Sequence, residues 1–154
     1  MRILVVSDSH SMYDRLRRVV MKHSEAEIVV FCGDGASDID EIKREFPNKM
    51  IIAVRGNCDF CTDNPNIETI TIEGKKLFIT HGHIYNVKSG LYKLSLASRE
   101  AGADIVLFGH THQSLELYDD GMYMLNPGAI SGYEGTYGLV DITPQGVLTN
   151  IVKI

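Results

Sequence analysis

The sequence ILVVSDSH at residues 3–10 introduces a pattern that occurs twice more in the first third of the chain. IVVFCGD at residues 28–34 and MIIAVRGN at residues 50–57 have the same form, an apolar run that ends in polar residues. Such a run is typical of a strand buried on both faces. Helical spacing around Leu16 and over residues 37–46 separates the runs. Alternating strands and helices predict a parallel sheet.

The second half of the chain predicts hairpins. Strand patterns flank turn sequences at residues 73–75, 119–121 and 144–146. A third helix is predicted over residues 91–101, followed by a buried strand over residues 105–108. We therefore expect a mixed α/β fold in which a parallel core is extended by antiparallel hairpins. The most economical arrangement is two sheets packed face to face between helices.

The second helix carries a start signal of its own. Ser37 followed by Asp40 resembles a capping box, in which side chains accept hydrogen bonds from the backbone of the first turn. Pro47 marks the end of the helix. We expect this helix to be capped by its own residues.

Length and charge limit the class of protein. A chain of 154 residues is long enough for one domain, which we place over residues 1–154. Its 15 basic and 20 acidic residues give a net charge of −5, so stable binding to nucleic acid or a membrane surface is not expected. Three cysteines do not form a disulfide framework, and residues 3–6 are too short an apolar run for a signal peptide. The sequence predicts a cytoplasmic protein.

Polar side chains follow five of the predicted strands. They are Asp8 and His10, then Asp34, then Asn57, then His81 and His83, and finally His110 and His112. In an open α/β sheet, ligands bind beyond the carboxyl ends of the strands, so these groups are expected to converge. A single such residue would be read as a turn former, and His23, alone on the first helix, is read as an ordinary structural histidine.

The motifs resemble, in order and spacing, those of the calcineurin-like metallophosphoesterase superfamily. They are Asp8-Ser9-His10, Gly33-Asp34, Gly56-Asn57-Cys58-Asp59, His81-Gly82-His83 and Gly109-His110-Thr111-His112. The resemblance extends from Met1 to about Ser131. The chain length and the Asn-Cys-Asp variant are similar to those of the small single-domain prokaryotic phosphodiesterases. The resemblance implies a four-layer αββα sandwich of two mixed sheets flanked by helices.

The resemblance also implies a ligand set for two divalent transition-metal ions. Asp8, His10 and His112 would hold one ion, Asn57, His81 and His110 would hold the other, and Asp34 would bridge them. Two such ions clamp a phosphate and activate a shared water as hydroxide. Imidazole, carboxylate and amide ligands favour Mn²⁺, with Ni²⁺, Fe²⁺ and Zn²⁺ as alternatives.

The residues expected to take part in catalysis are Asp34, Asn57, Asp59 and His83. Many members of the superfamily have a histidine where this chain has Cys58, so the group that protonates the leaving oxygen is not identified. Asp59 is expected to orient its neighbours, and His83 to contact phosphate, to support a ligand or to serve only as a turn residue.

Two alternatives to a hydrolase remain. Cys58 and Cys61 form a C-x-x-C sequence, but a thioredoxin-type centre needs it at the start of a helix, and the residues that follow resemble a loop. The fold could also serve as a non-catalytic protein-binding scaffold. None of the seven ligand positions is lost, which favours a phosphodiesterase acting on a small phosphate ester. Such a protein could be a homodimer.

Overall fold

The computed structural model describes residues 1–154, which form ten strands and three α-helices. The strands are β1 (Arg2–Val6), β2 (Ile28–Phe31), β3 (Met50–Ala53), β4 (Ile67–Ile72), β5 (Lys75–Thr80), β6 (Ile105–Leu107), β7 (Ser114–Asp119), β8 (Met122–Pro127), β9 (Thr136–Thr143) and β10 (Gly146–Lys153). The helices are α1 (Tyr13–Lys22), α2 (Ala36–Glu45) and α3 (Tyr92–Glu100), with short 3₁₀ turns at His83–Tyr85 and Val87–Ser89.

The strands form two mixed five-stranded sheets. The first has the order β10-β9-β1-β2-β3, in which β1, β2 and β3 are parallel and β9 pairs antiparallel with β1. The second has the order β4-β5-β6-β8-β7, in which β5, β6 and β8 are parallel and both edge strands are antiparallel. The predicted parallel core with antiparallel hairpins is confirmed.

Strand β1 shows why its apolar run is unbroken. Ile3 and Val5 enter the core between the two sheets, whereas Leu4 and Val6 pack against α1 and α2 on the outer face of the first sheet. On the far side, Leu94 of α3 packs against the second sheet. Both faces of each sheet are therefore covered, and the layers run helix, sheet, sheet, helix. The four-layer αββα prediction is confirmed.

The expected capping box of the second helix is wrong. Helix α2 begins at Ala36 with Gly35 as its N-cap residue, and no side chain of its own caps it. Ser37 lies within the first turn and is exposed. The group that replaces it comes from a distant loop and is described below.

One end of the two sheets carries hairpin turns, and the other end carries the polar residues predicted to converge. The turns β4–β5, β7–β8 and β9–β10 lie at one end, and the carboxyl ends of β1, β2, β3, β5 and β6 lie at the other. The predicted polar groups all follow strands at this second end. None of the helices is long and apolar enough to span a bilayer.

Candidate metal centre

The structure brings together the seven side chains expected to bind metal, each from the end of one of five strands. Three of their ligand atoms form a first group: Asp8 Oδ1, His10 Nε2 and His112 Nε2. His112 Nε2 lies 3.0 Å from Asp8 Oδ1 and 3.2 Å from His10 Nε2. His10 Nε2 lies 3.6 Å from Asp8 Oδ1. Ligands about 2.0–2.2 Å from one ion are themselves separated by about 3–4 Å, so these atoms are spaced to share a cation.

A second group lies beside the first. His81 Nε2 is 3.1 Å from Asn57 Oδ1 and 3.2 Å from His110 Nδ1. The other ring nitrogen of His81 lies 2.6 Å from the Cys32 carbonyl oxygen. When it donates its proton to that carbonyl, Nε2 is left with a lone pair directed at the centre. The second group thus offers two imidazole nitrogens and an amide oxygen.

Asp34 lies between the groups. Its Oδ2 atom is 3.4 Å from His81 Nε2 and 3.9 Å from His10 Nε2. Its Oδ1 atom accepts a hydrogen bond from the Cys58 amide at 2.8 Å. One carboxylate oxygen is therefore held by the backbone, while the other faces both groups as a bridging ligand would.

Asp8 shows that a cation fits this arrangement. Its Oδ2 atom accepts hydrogen bonds from Ser7 Oγ at 2.5 Å and from the His110 amide at 3.2 Å. Its Oδ1 atom is buried and has no hydrogen-bond partner. A buried carboxylate oxygen without a partner is energetically costly, and a metal ion would satisfy it. The donor set of carboxylate, imidazole and amide without thiolate suits a divalent transition metal.

The titration of these groups follows from their surroundings. Burial raises the pKa of Asp34, but its hydrogen bonds with His81 and the Cys58 amide outweigh this and hold the pKa well below its usual range. Burial and the nearby charges of His81 and Lys88 lower the pKa of His110 to about 4. Burial also lowers the pKa of His81, yet its hydrogen bond with Asp34 and the charge of Asp8 leave it raised. Near neutral pH the bridging carboxylate is therefore ionised and His110 has a free lone pair.

Five of the seven candidate ligands have left-handed backbone conformations. They are Asp8 (φ 54°), His10 (φ 44°), Asp34 (φ 62°), His110 (φ 69°) and His112 (φ 58°). Residues other than glycine rarely adopt this conformation, and where they do so in a cluster they mark functional sites. These five residues follow strands β1, β2 and β6, so left-handed backbone occurs after three of the five strands that supply ligands.

Asp59, which the sequence analysis expected to take part in catalysis, uses its carboxylate on the backbone. Oδ2 accepts hydrogen bonds from the amides of Asp34 and Gly56, both at 2.8 Å. Oδ1 accepts from the amides of Gly35 and Ala36, both at 2.9 Å. The side chain is buried and caps helix α2 from another loop. It fixes the loop of the bridging Asp34 to the loop of Asn57, which is a positioning role.

His83 lies beside the centre without joining either group. It is the first residue of a 3₁₀ turn, and its ring centroid is 5.4 Å from that of His81 and 6.1 Å from that of His110. Its Nδ1 atom is buried and has no hydrogen-bond partner, and burial lowers its pKa. The structure thus places a neutral imidazole next to the second group.

Residues that the sequence analysis missed hold the ligand loops. The buried Asp38 carboxylate accepts hydrogen bonds from Ser9 Oγ at 2.5 Å and the Ser11 amide at 3.0 Å, on either side of His10. Buried Asn126 donates to the Gly109 carbonyl at 2.8 Å and fastens the loop of His110. The sequence could have indicated a role for Asn126, since an amide side chain within a buried strand needs a hydrogen-bond partner. Asp38, in the first turn of a helix, gave no such indication.

Gly56 illustrates why small residues adjoin the ligands. A Cβ atom on Gly56 would lie 2.0 Å from Asp34 Oδ1 and 2.5 Å from the Asp34 backbone nitrogen. Gly109 has the same relation to Ser7 and Asp8, with Ser7 Oγ at 2.1 Å. The two carboxylates therefore occupy space that any other residue would fill.

A cleft adjoins the centre on the side of His10 and Asp34. It has a volume of about 560 Å³ and is lined by the first turn of α2 and by the loop from Cys58 to Cys61. The lining contains no lysine or arginine: its ten residues are His10, Ser11, Asp34, Gly35, Ala36, Ser37, Cys58, Asp59, Phe60 and Cys61. Cys58 and Cys61 are free thiols in a loop, so the helical start that a thioredoxin-type site requires is absent.

His23 is a structural residue, as predicted. It is buried, with Nε2 at 2.9 Å from the Tyr137 hydroxyl and Nδ1 at 3.2 Å from Glu25. Both ring nitrogens have partners, and neither lies among the ligand groups.

Comparison with known proteins places this geometry in a family. The calcineurin-like phosphoesterase superfamily domain matches residues 1–145. The probable metallophosphoesterase YsnB of Bacillus subtilis is 33% identical over 132 residues, which cover 84% of this chain and 75% of YsnB. The solved structure of an archaeal phosphodiesterase is 27% identical, covers the full length of both chains and superposes with a TM-score of 0.77.

A further relative is named for protein sorting and not for phosphoesterase activity. Vacuolar protein sorting-associated protein 29 of Schizosaccharomyces pombe is 26% identical over 160 residues, which cover 98% of this chain and 85% of the relative. The family match extends from the first strand into the last hairpin, and the ligand groups lie within the matched residues. The chain belongs to the calcineurin-like phosphoesterase superfamily.

Proposed function

We propose that this protein is a dinuclear metal-dependent phosphodiesterase, with Mn²⁺ as the favoured ion. The observation that carries the proposal is the pair of ligand groups on either side of Asp34, together with the buried Asp8 Oδ1 atom, which has no hydrogen-bond partner. Asp8, His10 and His112 are assigned to one ion, and Asn57, His81 and His110 to the other. Asp34 is assigned to both.

The chain's own residues prepare the site for an ester. Two divalent ions, when bound, activate a water and neutralise charge on the phosphoryl group. Asp59 holds the loops of Asp34 and Asn57 at a fixed separation through four backbone hydrogen bonds. His83, with its unpaired nitrogen beside the second group, is assigned to contact with the ester or support of a ligand.

The charge of the cleft supports a diester over a monoester. A diester carries about one negative charge at phosphorus and a monoester near neutral pH carries about two. No lysine or arginine lines the cleft, and the guanidinium of Arg55 donates to the Asp59 carbonyl at 3.0 Å. The bound ions alone would then have to neutralise the ester, which suits the smaller charge.

A second candidate function is a non-catalytic scaffold that keeps the fold. The similarity to a vacuolar protein sorting-associated protein is the observation in its favour. Retention of all seven ligand positions, five of them with left-handed backbones, favours the enzyme. A scaffold has no use for that strain.

Hydrolysis of a chromogenic diester tests the proposal. The protein is treated with a chelator, and its hydrolysis of bis-para-nitrophenyl phosphate is measured with and without added Mn²⁺. We expect activity only with metal, and weaker activity on para-nitrophenyl phosphate. Absence of bound metal by elemental analysis, together with no activity after reconstitution, would support the scaffold instead.

A further inference from the structure

Cys58 forms a third group of potential metal ligands with His10 and Asp34, and it is the member of that group that the proposed dinuclear centre does not use. Its Sγ atom lies within 4.8 Å of ligand atoms of both His10 and Asp34, and these two atoms also lie within that distance of each other. His10 is assigned to one ion and Asp34 to both, so the thiol adjoins the centre on the side of the cleft.

The Cys58 side chain is free to approach an ion. It is exposed, it forms no disulfide, and its polar contact is with Asn57 Nδ2 at 3.4 Å. Its backbone, by contrast, is fixed, because its amide donates to Asp34 Oδ1 at 2.8 Å. Ligands of a tetrahedral ion at about 2.0–2.3 Å are about 3.5 Å apart, and Sγ lies within 4.8 Å of both atoms, so the thiol needs to move by about 1.3 Å at most. A side-chain rotation can supply such a movement without disturbing the loop.

We propose that Cys58 is a thiolate ligand whose binding depends on the metal. It coordinates soft divalent ions such as Zn²⁺ or Cd²⁺ in this centre and does not coordinate Mn²⁺. The inference rests on the proposed dinuclear function for the His10 and Asp34 assignments. On binding, the sulfur–hydrogen bond breaks, a sulfur–metal bond forms and the proton passes to solvent. No electron is transferred, and no other reactant is needed.

The consequence is discrimination between metals by ligand softness. Thiolates prefer soft or borderline ions, whereas carboxylate and carbonyl ligands suit harder ions such as Mn²⁺. Cys58 lines the cleft from which an ester would approach. A soft ion held by the thiolate would therefore be bound more tightly and have its cleft side occupied.

The spectrum of Co²⁺-loaded protein tests the ligand directly. A thiolate bound to Co²⁺ gives a charge-transfer band in the near ultraviolet that imidazole and carboxylate ligands do not give. We expect the band in the unchanged protein, its loss in Cys58→Ser and its retention in the matched control Cys61→Ser. Absence of the band from the unchanged protein, or its survival in Cys58→Ser, would overturn the inference.

Affinity gives a second, independent measure. We expect Cys58→Ser to weaken Cd²⁺ binding by about 10–100-fold in a competition assay and to change Mn²⁺ binding far less. Equal changes for both ions would contradict a softness-dependent ligand. Mn²⁺-dependent diester hydrolysis, measured on the same preparation, separates the proposed phosphodiesterase function from the proposed Cys58 ligand. Absence of hydrolysis would count against the function. Absence of the cobalt band would count only against Cys58 as a ligand.

Discussion

Left-handed residues occur at both ends of the sheets, for different reasons. At the hairpin end, Glu73 (φ 49°) precedes Gly74 (φ 75°), and Asp120 (φ 41°) precedes Gly121 (φ 81°). Two successive residues with positive φ are what a tight two-residue hairpin turn demands, and glycine supplies one of them at low cost. At the opposite end, five candidate ligands adopt the same conformation, and none of them is glycine.

The surroundings of the two sets explain the difference. A Cβ atom on Gly74 or Gly121 would meet nothing within 4 Å, so these turns are shaped by their own sequence. The ligand loops are held from outside: the Asp8 amide donates to the Gly33 carbonyl at 2.9 Å and the His10 amide to the Asp34 carbonyl at 3.2 Å. Strain at the hairpin end is local, whereas strain at the metal centre is imposed by neighbouring loops.

Removing the bridging charge should have the largest effect. Asp34→Asn replaces a carboxylate that faces both ligand groups by a neutral amide, which bridges two cations poorly. We expect loss of bound metal and a fall in kcat/KM well beyond the roughly 10–100-fold that follows loss of a group supporting a ligand. Elemental analysis and diester hydrolysis measure the two effects, and circular dichroism should show an unchanged fold.

His23→Asn is the matched control for Asp34→Asn. It loses the hydrogen bond to Tyr137, which contributes about 1 kcal/mol to the free energy of unfolding, but it touches no ligand. Metal content and turnover should remain those of the unchanged protein. Equal losses of turnover at both positions would contradict the ligand assignment.

Gly56→Ala should have the next largest effect on activity, because its methyl group would crowd the bridging Asp34 carboxylate without changing the charge of that carboxylate. The new methyl group would lie 2.0 Å from Asp34 Oδ1, so Asp34 or the whole loop must shift. A misplacement of about 1 Å can lower the rate by about 100-fold. We expect kcat to fall by about that amount and metal affinity to weaken. An unchanged kcat would show that the loop tolerates more movement than its contacts suggest.

The Asp59 carboxylate holds the Asp34 loop, the Gly56 loop and the start of α2 together, so its loss tests how far the left-handed conformation of Asp34 depends on neighbouring loops. Asp59→Asn keeps the shape of the side chain but removes the charge and replaces one acceptor oxygen by a donor. Each oxygen accepts two backbone hydrogen bonds, so two of the four are lost. We expect metal affinity to fall by about 10–100-fold, as is usual for groups that orient ligands. The control is Asp63→Asn, an exposed residue of the same loop. If excess metal does not restore part of the turnover of Asp59→Asn, Asp59 does more than position its neighbours.

Asp59 also shows which feature of the fold could not be predicted from the sequence, namely a helix cap supplied by a distant loop. Strands β2 and β6 were predicted closely, since burial on both faces of a sheet produces a continuous apolar run. The convergence of the polar groups was predicted because they follow strand ends in order, and the resemblance to the superfamily implied which seven of them are ligands. The cap of α2 was assigned to Ser37 and Asp40 because a capping box is local, yet the structure uses a residue more than twenty positions away. No spacing rule connects Asp59 with Ala36 before the fold is known.

Cys58 distinguishes its loop from the other ligand loops, since its side chain is exposed and has only a weak polar contact. A thiol is an unusual general acid, and a positioned acid contributes about 10²–10⁴-fold when the leaving alcohol is basic. We expect kcat/KM to fall steeply as the pKa of the leaving group rises. Cys58→His should then improve alkyl esters more than nitrophenyl esters. A series of aryl and alkyl diesters tests both proteins, and a flat dependence in the unchanged enzyme would show that another acid, such as His83, already acts.

The smallest effect is expected at the hairpin end, where strain is local. Gly121→Ala places an L-residue at φ 81° with no neighbour within 4 Å, so the backbone conformation alone opposes it. Left-handed conformation costs a residue with a Cβ atom about 1–2 kcal/mol. Chemical denaturation should therefore show a loss of about 1 kcal/mol in the free energy of unfolding, with kcat and metal content unchanged. Because Gly56 has no left-handed φ and Gly121 has no close neighbour, the pair separates crowding from backbone strain. A fall in turnover in Gly121→Ala would mean that the two ends of the sheets are coupled, and the distinction between local and imposed strain would fail.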